Sequence, residues 1–251
     1  MEGPSLFLAA EQLATFTKKI ILKVKGNTQK IEKERLSKKK VLSIFSWGKH
    51  LVFQFDEFAL RVHFLLFGSF EATVNGKKVT GDYRKKNRTP RLQLTFKNGK
   101  INLYSCSLKY LETADAKETY DPSIDIMSPE WNSKKALENF HKYRKTELGD
   151  LLLDQTLFAG VGNIIKNEVL FLIKKAPDQL LNELSLAQQK KLIKTTRDFS
   201  HQFYEWRKRF VLRKHYQIYR KGTCPTCKGK VIRKKTGKRM RLSFYCSHCQ
   251  R

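Results

Sequence analysis

The sequence is poor in acidic residues and contains no long apolar segment. Asp and Glu number 23 among 251 residues, against 51 Lys and Arg. No stretch approaches the roughly 18 uncharged apolar residues that a membrane-spanning helix requires. Residues 1–13 carry two acids and no basic residue, unlike the start of a secretory signal. The chain also lacks internal repeats and low-complexity tracts. We therefore expect neither a membrane span, nor a secretory signal, nor a repeat architecture.

The excess of basic residues gives a formal net charge of +28 at pH 7. The electrostatic field of such a basic chain attracts polyanions. Nucleic acid is therefore the first partner to consider; an acidic membrane surface is the second, but the chain has no basic amphipathic anchor helix for it. Hydrophobic residues make up 40 % of the chain. One large domain or two of ordinary size can thus bury a core without disulfides.

Four of the five cysteines form two Cys-x-x-Cys pairs, Cys224 with Cys227 and Cys246 with Cys249, while Cys106 stands alone. Two such pairs at this separation are typical of a metal site, because four thiolates complete a closed tetrahedral shell around Zn²⁺. Two local disulfides are the alternative. The zinc interpretation implies a reducing compartment, so we expect an intracellular protein of the cytoplasm or nucleoid.

The first 120 residues have the pattern of an antiparallel β domain that opens with a helix. Apolar residues recur at helical spacing across residues 3–17, and a proline is tolerated in the opening turn. From Val41 onwards the apolar period becomes two, as in strands. Two Asn-Gly steps, Asn75-Gly76 and Asn98-Gly99, lie between strand-like runs. They predict hairpins, because type I′ turns need positive φ at both central residues.

The second half changes to helical patterning after a turn-rich segment at residues 121–132, which we predict to be a linker. A helical domain is expected over residues 133–220, and a basic cysteine module over residues 221–251. The last helix carries an apolar stripe from Leu186 to Phe210, and we predict that this stripe is buried in the core. The predicted helices span residues 134–144, 147–154, 163–173 and 186–210.

The loop between the second and third of these helices contains Gly160 and Gly162 and leads into Asn163 at a helix start. Free N–H groups and the positive end of the helix dipole at such a start can hold a phosphate. A plain helical hairpin is the alternative for this loop taken alone. In a strongly basic chain with a zinc module, the loop favours contact with a DNA backbone.

Five motifs together resemble the formamidopyrimidine-DNA glycosylase and endonuclease VIII family. They cover almost the whole chain in the family's order. They are Glu-Gly-Pro at 2–4, Trp-Gly-Lys at 47–49, His-Phe-Leu-Leu-Phe-Gly at 63–68, Leu-Leu-Asp-Gln-x-x-x-Ala-Gly-Val-Gly-Asn-Ile at 152–164, and Tyr-Arg-Lys-Gly at 219–222 with the two cysteine pairs.

The resemblance implies an α+β fold of two domains that hold duplex DNA between them. The N-terminal domain would be an antiparallel β-sandwich with a flanking helix. The C-terminal domain would combine a helix–two-turn–helix with a four-cysteine zinc-finger hairpin that holds one structural Zn²⁺. Members of the family excise oxidised bases and then cleave the strand through a Schiff base, so the resemblance implies a role in base-excision repair. We expect a monomer that binds damaged duplex DNA, with single strands as a further substrate.

The family's nucleophile is an N-terminal proline, and this sequence departs from that pattern because it reads Met1-Glu2-Gly-Pro. Three explanations stay open: the α-amine of Met1 replaces the proline, the native proline is missing from this sequence, or the lyase step has been lost. Glu2 matches the family's catalytic acid; a solvated carboxylate that merely caps the first helix is its alternative. Lys49 matches the lysine that contacts phosphate near the lesion, with an ordinary surface lysine as its alternative. His63 is left out of the predicted site.

Leu65, Leu66 and Phe67 match the position of the apolar wedge that fills the gap left by an extruded nucleotide. Three large apolar residues at the end of a strand would otherwise be interpreted as core. The region around Ser105 lacks the Arg-Phe pair of the formamidopyrimidine branch, which favours the endonuclease VIII branch and oxidised pyrimidines. Asn163 and Arg241 match residues that contact the DNA backbone.

The leading hypothesis is therefore a bifunctional DNA glycosylase and abasic-site lyase of the endonuclease VIII type. A protein that binds damaged or abasic DNA, with weak or lost catalysis, is the second hypothesis. A zinc-ribbon transcription or translation factor is the third; it explains the cysteines and the charge but not Glu2, Lys49 or the loop before Asn163.

Overall fold

The computed structural model describes residues 1–80 and 88–251. The chain divides into two compact units, Met1–Asp121 and Pro122–Arg251. The segment that we predicted as a linker thus lies almost wholly in the second unit, where Asp125 forms a bridge with Ala159. Within the described residues no helix is both long enough and apolar enough to cross a bilayer.

The first unit combines one helix with an antiparallel sheet, as the alternating apolar pattern predicts. The helix α1 (Gly3–Leu13) is followed directly by a 3₁₀ turn, Ala14–Phe16, so the helical segment ends one residue before the predicted end at residue 17. The sheet order is β1-β6-β7-β4-β3-β2, and β5 pairs with β4. The elements are α1 (Gly3–Leu13), β1 (Lys23–Lys25), β2 (Ser43–Trp47), β3 (His50–Gln54), β4 (Ala59–Val74), β5 (Lys77–Thr80), β6 (Leu92–Phe96) and β7 (Gly99–Leu111).

The sheet has two halves, which share the long strands β4 and β7. Residues 59–64 of β4 pair with β3 and with the end of β7, whereas residues 69–74 pair with β5 and with the start of β7. The two halves and α1 enclose one apolar core. Phe16 contacts Phe96 there at a ring-centroid distance of 4.6 Å, which joins the end of the helical segment to β6. This arrangement confirms the predicted antiparallel β-sandwich with a flanking helix.

The two Asn-Gly predictions had different outcomes. Asn75 and Gly76 form the β4–β5 turn with φ of 46° and 79°, so the type I′ turn is confirmed. The second hairpin is present, but the prediction of its turn residues was wrong by one position. Gly99 pairs with Phe96 in the ladder, so that residues 97 and 98 make the turn.

The second unit is helical and ends in a hairpin. All four predicted helices are present, although each ends before the predicted residue; a 3₁₀ turn, Phe140–Tyr143, follows the first of them. The apolar stripe predicted from Leu186 to Phe210 is buried at its centre, but these two end residues are exposed; the prediction of core was wrong there. The elements are α2 (Ser133–Asn139), α3 (Leu148–Leu152), α4 (Asn163–Leu172), α5 (Leu186–Lys208), β8 (Ile232–Thr236) and β9 (Arg241–Tyr245).

Helix α4 fastens the cysteine module to the helices through buried polar groups. Lys166 donates to the Ser243 hydroxyl at 2.7 Å, and the Asn167 side chain accepts from the Phe244 N–H at 2.7 Å. The carboxylate of Glu168 accepts from three successive backbone N–H groups at residues 217–219. Burial raises the pKa of Glu168, and those N–H bonds oppose the rise. These bonds satisfy groups that would otherwise be costly to bury.

Candidate functional site

Glu2 is an acid held inside the first unit. It is 8 % exposed and precedes α1 in an extended conformation, and its backbone carbonyl accepts from the N–H groups of Ser5 and Leu6. Its side chain makes no capping hydrogen bond to the helix. Glu2 is therefore neither solvated nor a side-chain cap of the helix, so that alternative is wrong.

Lys49 lies in a two-residue turn that joins β2 to β3, where Trp47 pairs with His50. Gly48 adopts φ of +52° in this turn, a conformation that favours glycine. The Trp47 ring stacks on Tyr120 at a centroid distance of 4.8 Å, and its Nε1 donates to the Asp121 carbonyl at 2.8 Å. The indole thus fixes the base of the hairpin whose turn presents Lys49.

Two histidines that face each other across β3 and β4 lie beside this hairpin. His50 pairs with His63, and their rings are 5.6 Å apart. Burial, then the charge of Arg61 and then His63, lowers the pKa of His50 to about 4. Burial also lowers the pKa of His63, and the charges of Lys49, the α-amine of Met1 and Arg61 lower it further. Both imidazoles are therefore neutral at pH 7.

His63 lies near two of the predicted site groups. The positive charges of Lys49 and the α-amine of Met1 both lower the pKa of His63. Lys49 lies in the turn next to His50, the partner of His63 across β3 and β4, and Met1 packs against the core of the same unit. Sequence reasoning predicted Met1, Glu2 and Lys49 but left His63 out. The signal that could have found it is the position of a histidine on the strand facing the Trp-Gly-Lys hairpin.

The apolar residues Leu65, Leu66 and Phe67 are exposed by 51, 64 and 53 %. They do not end a strand, as we predicted, but form a bulge within β4. Phe64 pairs with Cys106 and Ser69 with Tyr104, so the four residues between them face only Ser105. The interpretation of these residues as core is thereby excluded, because they project from the point where the sheet passes from one half to the other.

Cys106 belongs to the core and not to a reactive site. Burial raises the pKa of its thiol to about 12, so it stays protonated and packs as a small apolar side chain.

In the second unit, Asn163 and Arg241 lie at one place. The Asn163 side-chain amide donates to the backbone carbonyl of Leu242 at 2.9 Å, next to the exposed Arg241 on β9. The start of α4 and the hairpin strand are thereby joined. The Nδ2 of Asn163 thus holds β9, and its buried Oδ1 has no hydrogen-bond partner within the described chain.

The four paired cysteines converge as predicted. None is in a disulfide, and their Sγ atoms all lie within 4.8 Å of one another. The Sγ atoms of Cys224 and Cys249 are 3.8 Å apart, and those of Cys227 and Cys246 are 3.4 Å apart. A tetrahedron with metal–sulfur bonds of about 2.3 Å requires sulfur–sulfur separations of about 3.8 Å. The four thiols therefore fit a single metal ion.

Comparison with known proteins identifies matches to both units. Residues 123–202 match the model of the formamidopyrimidine-DNA glycosylase H2TH domain. Endonuclease 8-like 3 of Homo sapiens is 32 % identical over 228 residues, which cover 86 % of this chain and 37 % of that protein. Endonuclease 8-like 2 of Mus musculus is 33 % identical over 204 residues, which cover 76 % of this chain and 57 % of that protein. The chain thus spans just over a third of the human relative.

Solved structures share the whole fold. A viral DNA glycosylase superposes with a TM-score of 0.83 at 20 % identity, and the match covers 100 % of both chains. The Lactococcus lactis formamidopyrimidine-DNA glycosylase in complex with DNA that contains an abasic site gives a TM-score of 0.82 at 20 % identity, again with full coverage of both. Motifs, fold and relatives agree: the chain belongs to the formamidopyrimidine-DNA glycosylase and endonuclease VIII family.

Proposed function

We propose that this protein is a DNA glycosylase and abasic-site lyase of the endonuclease VIII type, which removes oxidised bases, mainly pyrimidines. The observation that carries the proposal is the arrangement in the first unit. A buried carboxyl at Glu2 adjoins the residue-1 amine, and Met1 packs against the core of the sheet. Lys49 lies in the turn beside His50, which faces His63 on the next strand. An amine nucleophile next to a buried proton donor is the arrangement that imine chemistry on a sugar requires.

The chemistry follows from these groups. The neutral α-amine of Met1 attacks C1′ of the deoxyribose as the bond from C1′ to the base breaks, and the base leaves with the proton that the attacking amine gives up. Glu2 then protonates the ring oxygen as the sugar ring opens to an imine. Removal of a C2′ proton then expels the 3′ phosphate. An α-amine has a pKa of about 8, so about a tenth to a third is neutral at pH 7–7.5, whereas an ordinary lysine is less than about 0.1 % neutral. The α-amine is thus a better nucleophile than Lys49.

The neutral histidines support this assignment of roles. With His50 and His63 uncharged, Lys49 is a cation beside the amine that can hold a phosphate of the substrate. A charged histidine there would repel both the amine in its protonated form and the lysine.

Leu65, Leu66 and Phe67 supply the apolar surface that occupies the gap after the damaged nucleotide leaves the stack. Unstacking a nucleotide costs a few kcal/mol, and apolar side chains in the gap offset part of this cost. A bulge with three exposed apolar residues is unusual on a strongly basic protein, because such side chains normally lie inside. Insertion of these side chains into DNA would bury the apolar surface that is exposed in the free protein.

In the second unit we propose one Zn²⁺ at Cys224, Cys227, Cys246 and Cys249. When bound, the ion would be structural, because four protein thiolates leave no position for substrate. It would stabilise the hairpin that presents Arg241. The start of α4 at Asn163 and the guanidinium of Arg241 would then contact phosphates of the DNA backbone.

Borohydride trapping on DNA with an abasic site tests the proposal, since only an imine is reduced to a covalent adduct. We expect the adduct on the peptide that begins at residue 1, and the intact mass of the purified protein identifies that residue. Acetylation of the α-amine should abolish trapping. An adduct on Lys49 would move the nucleophile there, and tight abasic-site binding without any adduct would favour the DNA-binding alternative.

Glu2→Gln tests the proton donor. Base excision should fall sharply, because an amide cannot donate the required proton. Glu11→Gln is the matched control, since it removes the same charge from an exposed position on the helix that follows Glu2. Equal activity of the two variants would refute the role of Glu2.

A further inference from the structure

The bulge that exposes Leu65, Leu66 and Phe67 needs a support, since exposed apolar side chains gain free energy by folding back onto the surface. Four residues of β4 face one residue of β7 there. The backbone fits closely, because a Cβ at Gly68 would lie 2.6 Å from the Ser105 carbonyl oxygen. Ser105 itself adopts φ of +45°, a conformation that costs a non-glycine residue free energy.

Arg88 makes contacts with both sides of this bulge. Its Nη2 donates to the Phe67 carbonyl at 3.2 Å and to the Ser105 hydroxyl at 2.5 Å, and its Nη1 donates to the Ser69 hydroxyl at 3.3 Å. The guanidinium carbon lies 5.0 Å from the centre of the Tyr104 ring. Arg88 precedes β6, so its side chain reaches across β7 to the bulge on β4.

The type of side chain matters here. A guanidinium offers five N–H donors in a rigid plane and stacks on aromatic rings, whereas an ammonium is a compact point charge. Arg88 therefore bonds to acceptors on two strands at once while its face lies over Tyr104. One of these acceptors, the Phe67 carbonyl, belongs to the apolar segment, and another belongs to the strained residue opposite it.

We propose that Arg88 is a positioning residue that holds the β4 bulge in the shape from which Leu65, Leu66 and Phe67 enter DNA. The inference rests on the proposed function, because it assigns to Arg88 a step that only duplex DNA requires. In single-stranded DNA there is no base pair to open, so extruding a nucleotide costs little free energy. Arg88 acts through the bulge and contacts neither the sugar nor the phosphates.

The test compares Arg88→Met and Arg88→Lys with wild-type protein on an abasic site in duplex and in single-stranded DNA. Loss of one charged hydrogen bond corresponds to about a tenfold change. We expect Arg88→Met to lower kcat on the duplex about tenfold or more and to change single-strand cleavage less than about twofold. Arg88→Lys should recover only part of the loss. Arg91→Met, which removes the same charge three residues away, should leave both rates unchanged.

Two further measurements separate support of the bulge from a direct DNA contact. If Arg88 acts through the bulge, Arg88→Met should add little to the loss of duplex activity already caused by Leu66→Ala. Substitutions that disturb the same structural feature have effects that are not additive. The slope of log affinity against log salt should stay unchanged, whereas removal of a phosphate contact lowers it by about 1. A lowered slope with full recovery by lysine would overturn the proposal in favour of phosphate binding.

Hydrogen exchange in the free protein tests the support without any activity. Arg88→Met should increase exchange at residues 64–69, and Arg91→Met should not. Unchanged exchange at the bulge, or equal losses on duplex and single strands, would overturn the role of Arg88. If wild-type protein cleaved neither substrate, the proposed function would fail, and the exchange measurement would still decide whether Arg88 supports the bulge.

Discussion

Replacing Leu66 by alanine removes the most exposed side chain of the β4 bulge. Full burial of a leucine side chain is worth about 1.5–3 kcal/mol. Since Leu66 is 64 % exposed in the free protein, insertion into DNA can gain at most about 1–2 kcal/mol of this. If that gain is realised at the transition state, Leu66→Ala should slow excision from duplex DNA by about 5- to 25-fold.

The same exposure predicts a small effect on folding. A leucine that is mostly exposed loses little on truncation, whereas a buried leucine such as Leu60, which is 0 % exposed, typically loses about 2–5 kcal/mol. Leu66→Ala should therefore keep the wild-type midpoint in chemical denaturation. Leu60→Ala should lower the midpoint strongly.

The assay is single-turnover excision from one lesion placed in a duplex and in the matching single strand. Leu22→Ala is the matched control, because Leu22 is 58 % exposed in the same unit and lies outside the proposed site. We expect Leu66→Ala to slow only the duplex reaction, and Leu22→Ala to slow neither. Equal losses on both substrates, or a loss of stability on the scale of Leu60→Ala, would refute insertion by Leu66.

The remaining predictions concern metal, salt and pH. Metal analysis should give one zinc per chain, and Cys246→Ser should lose both the metal and DNA affinity while Cys106→Ser keeps the metal; well under one zinc in the wild type would contradict the site. If six to ten phosphates are contacted, affinity should fall roughly 10³- to 10⁵-fold between about 50 and 200 mM salt. Arg241→Ala should weaken binding to damaged and intact duplexes alike, and a loss confined to damaged DNA would show that Arg241 reads the lesion. Because the folded state lowers the pKa of His50 to about 4, its contribution to stability is complete above about pH 6.5 and is lost as pH falls towards 4, by up to roughly 3 kcal/mol. Denaturation of wild type and His50→Gln across this range should show a smaller pH dependence in the variant, and equal slopes would refute the assignment.

Periodicity and turn chemistry predicted the secondary structure because both act locally. The start of α4 at Asn163 was predicted to the residue, and the Asn75-Gly76 turn adopts the expected positive φ. The second Asn-Gly turn was predicted one residue too late because the dipeptide alone does not fix the register. The ladder decides that register, and it pairs Gly99 with Phe96.

The candidate site was predicted less completely because it depends on contacts between distant segments. A pattern of apolar residues does not reveal that a bulge turns Leu65, Leu66 and Phe67 outwards; the opposing residue, Ser105, is 38 or more positions away. The sequence did not predict the contacts of Arg88 with the bulge for the same reason. The buried state of Glu2 and the approach of the α-amine to His63 likewise arise only when the N-terminus packs against the sheet.

Strand β4 links the reactive groups to the apolar bulge. His63, which responds to Lys49 and the α-amine, precedes Leu65 by two residues, a distance of about 7 Å along a strand. Phe64 lies between them and is buried in the core, so it fixes the strand at the point where the bulge begins. A shift of the bulge therefore has to move the His63 end of β4 or strain the backbone at Phe64. Because one rigid strand carries both features, filling the gap in the duplex and presenting the sugar to the amine become a single geometric event in the proposed reaction.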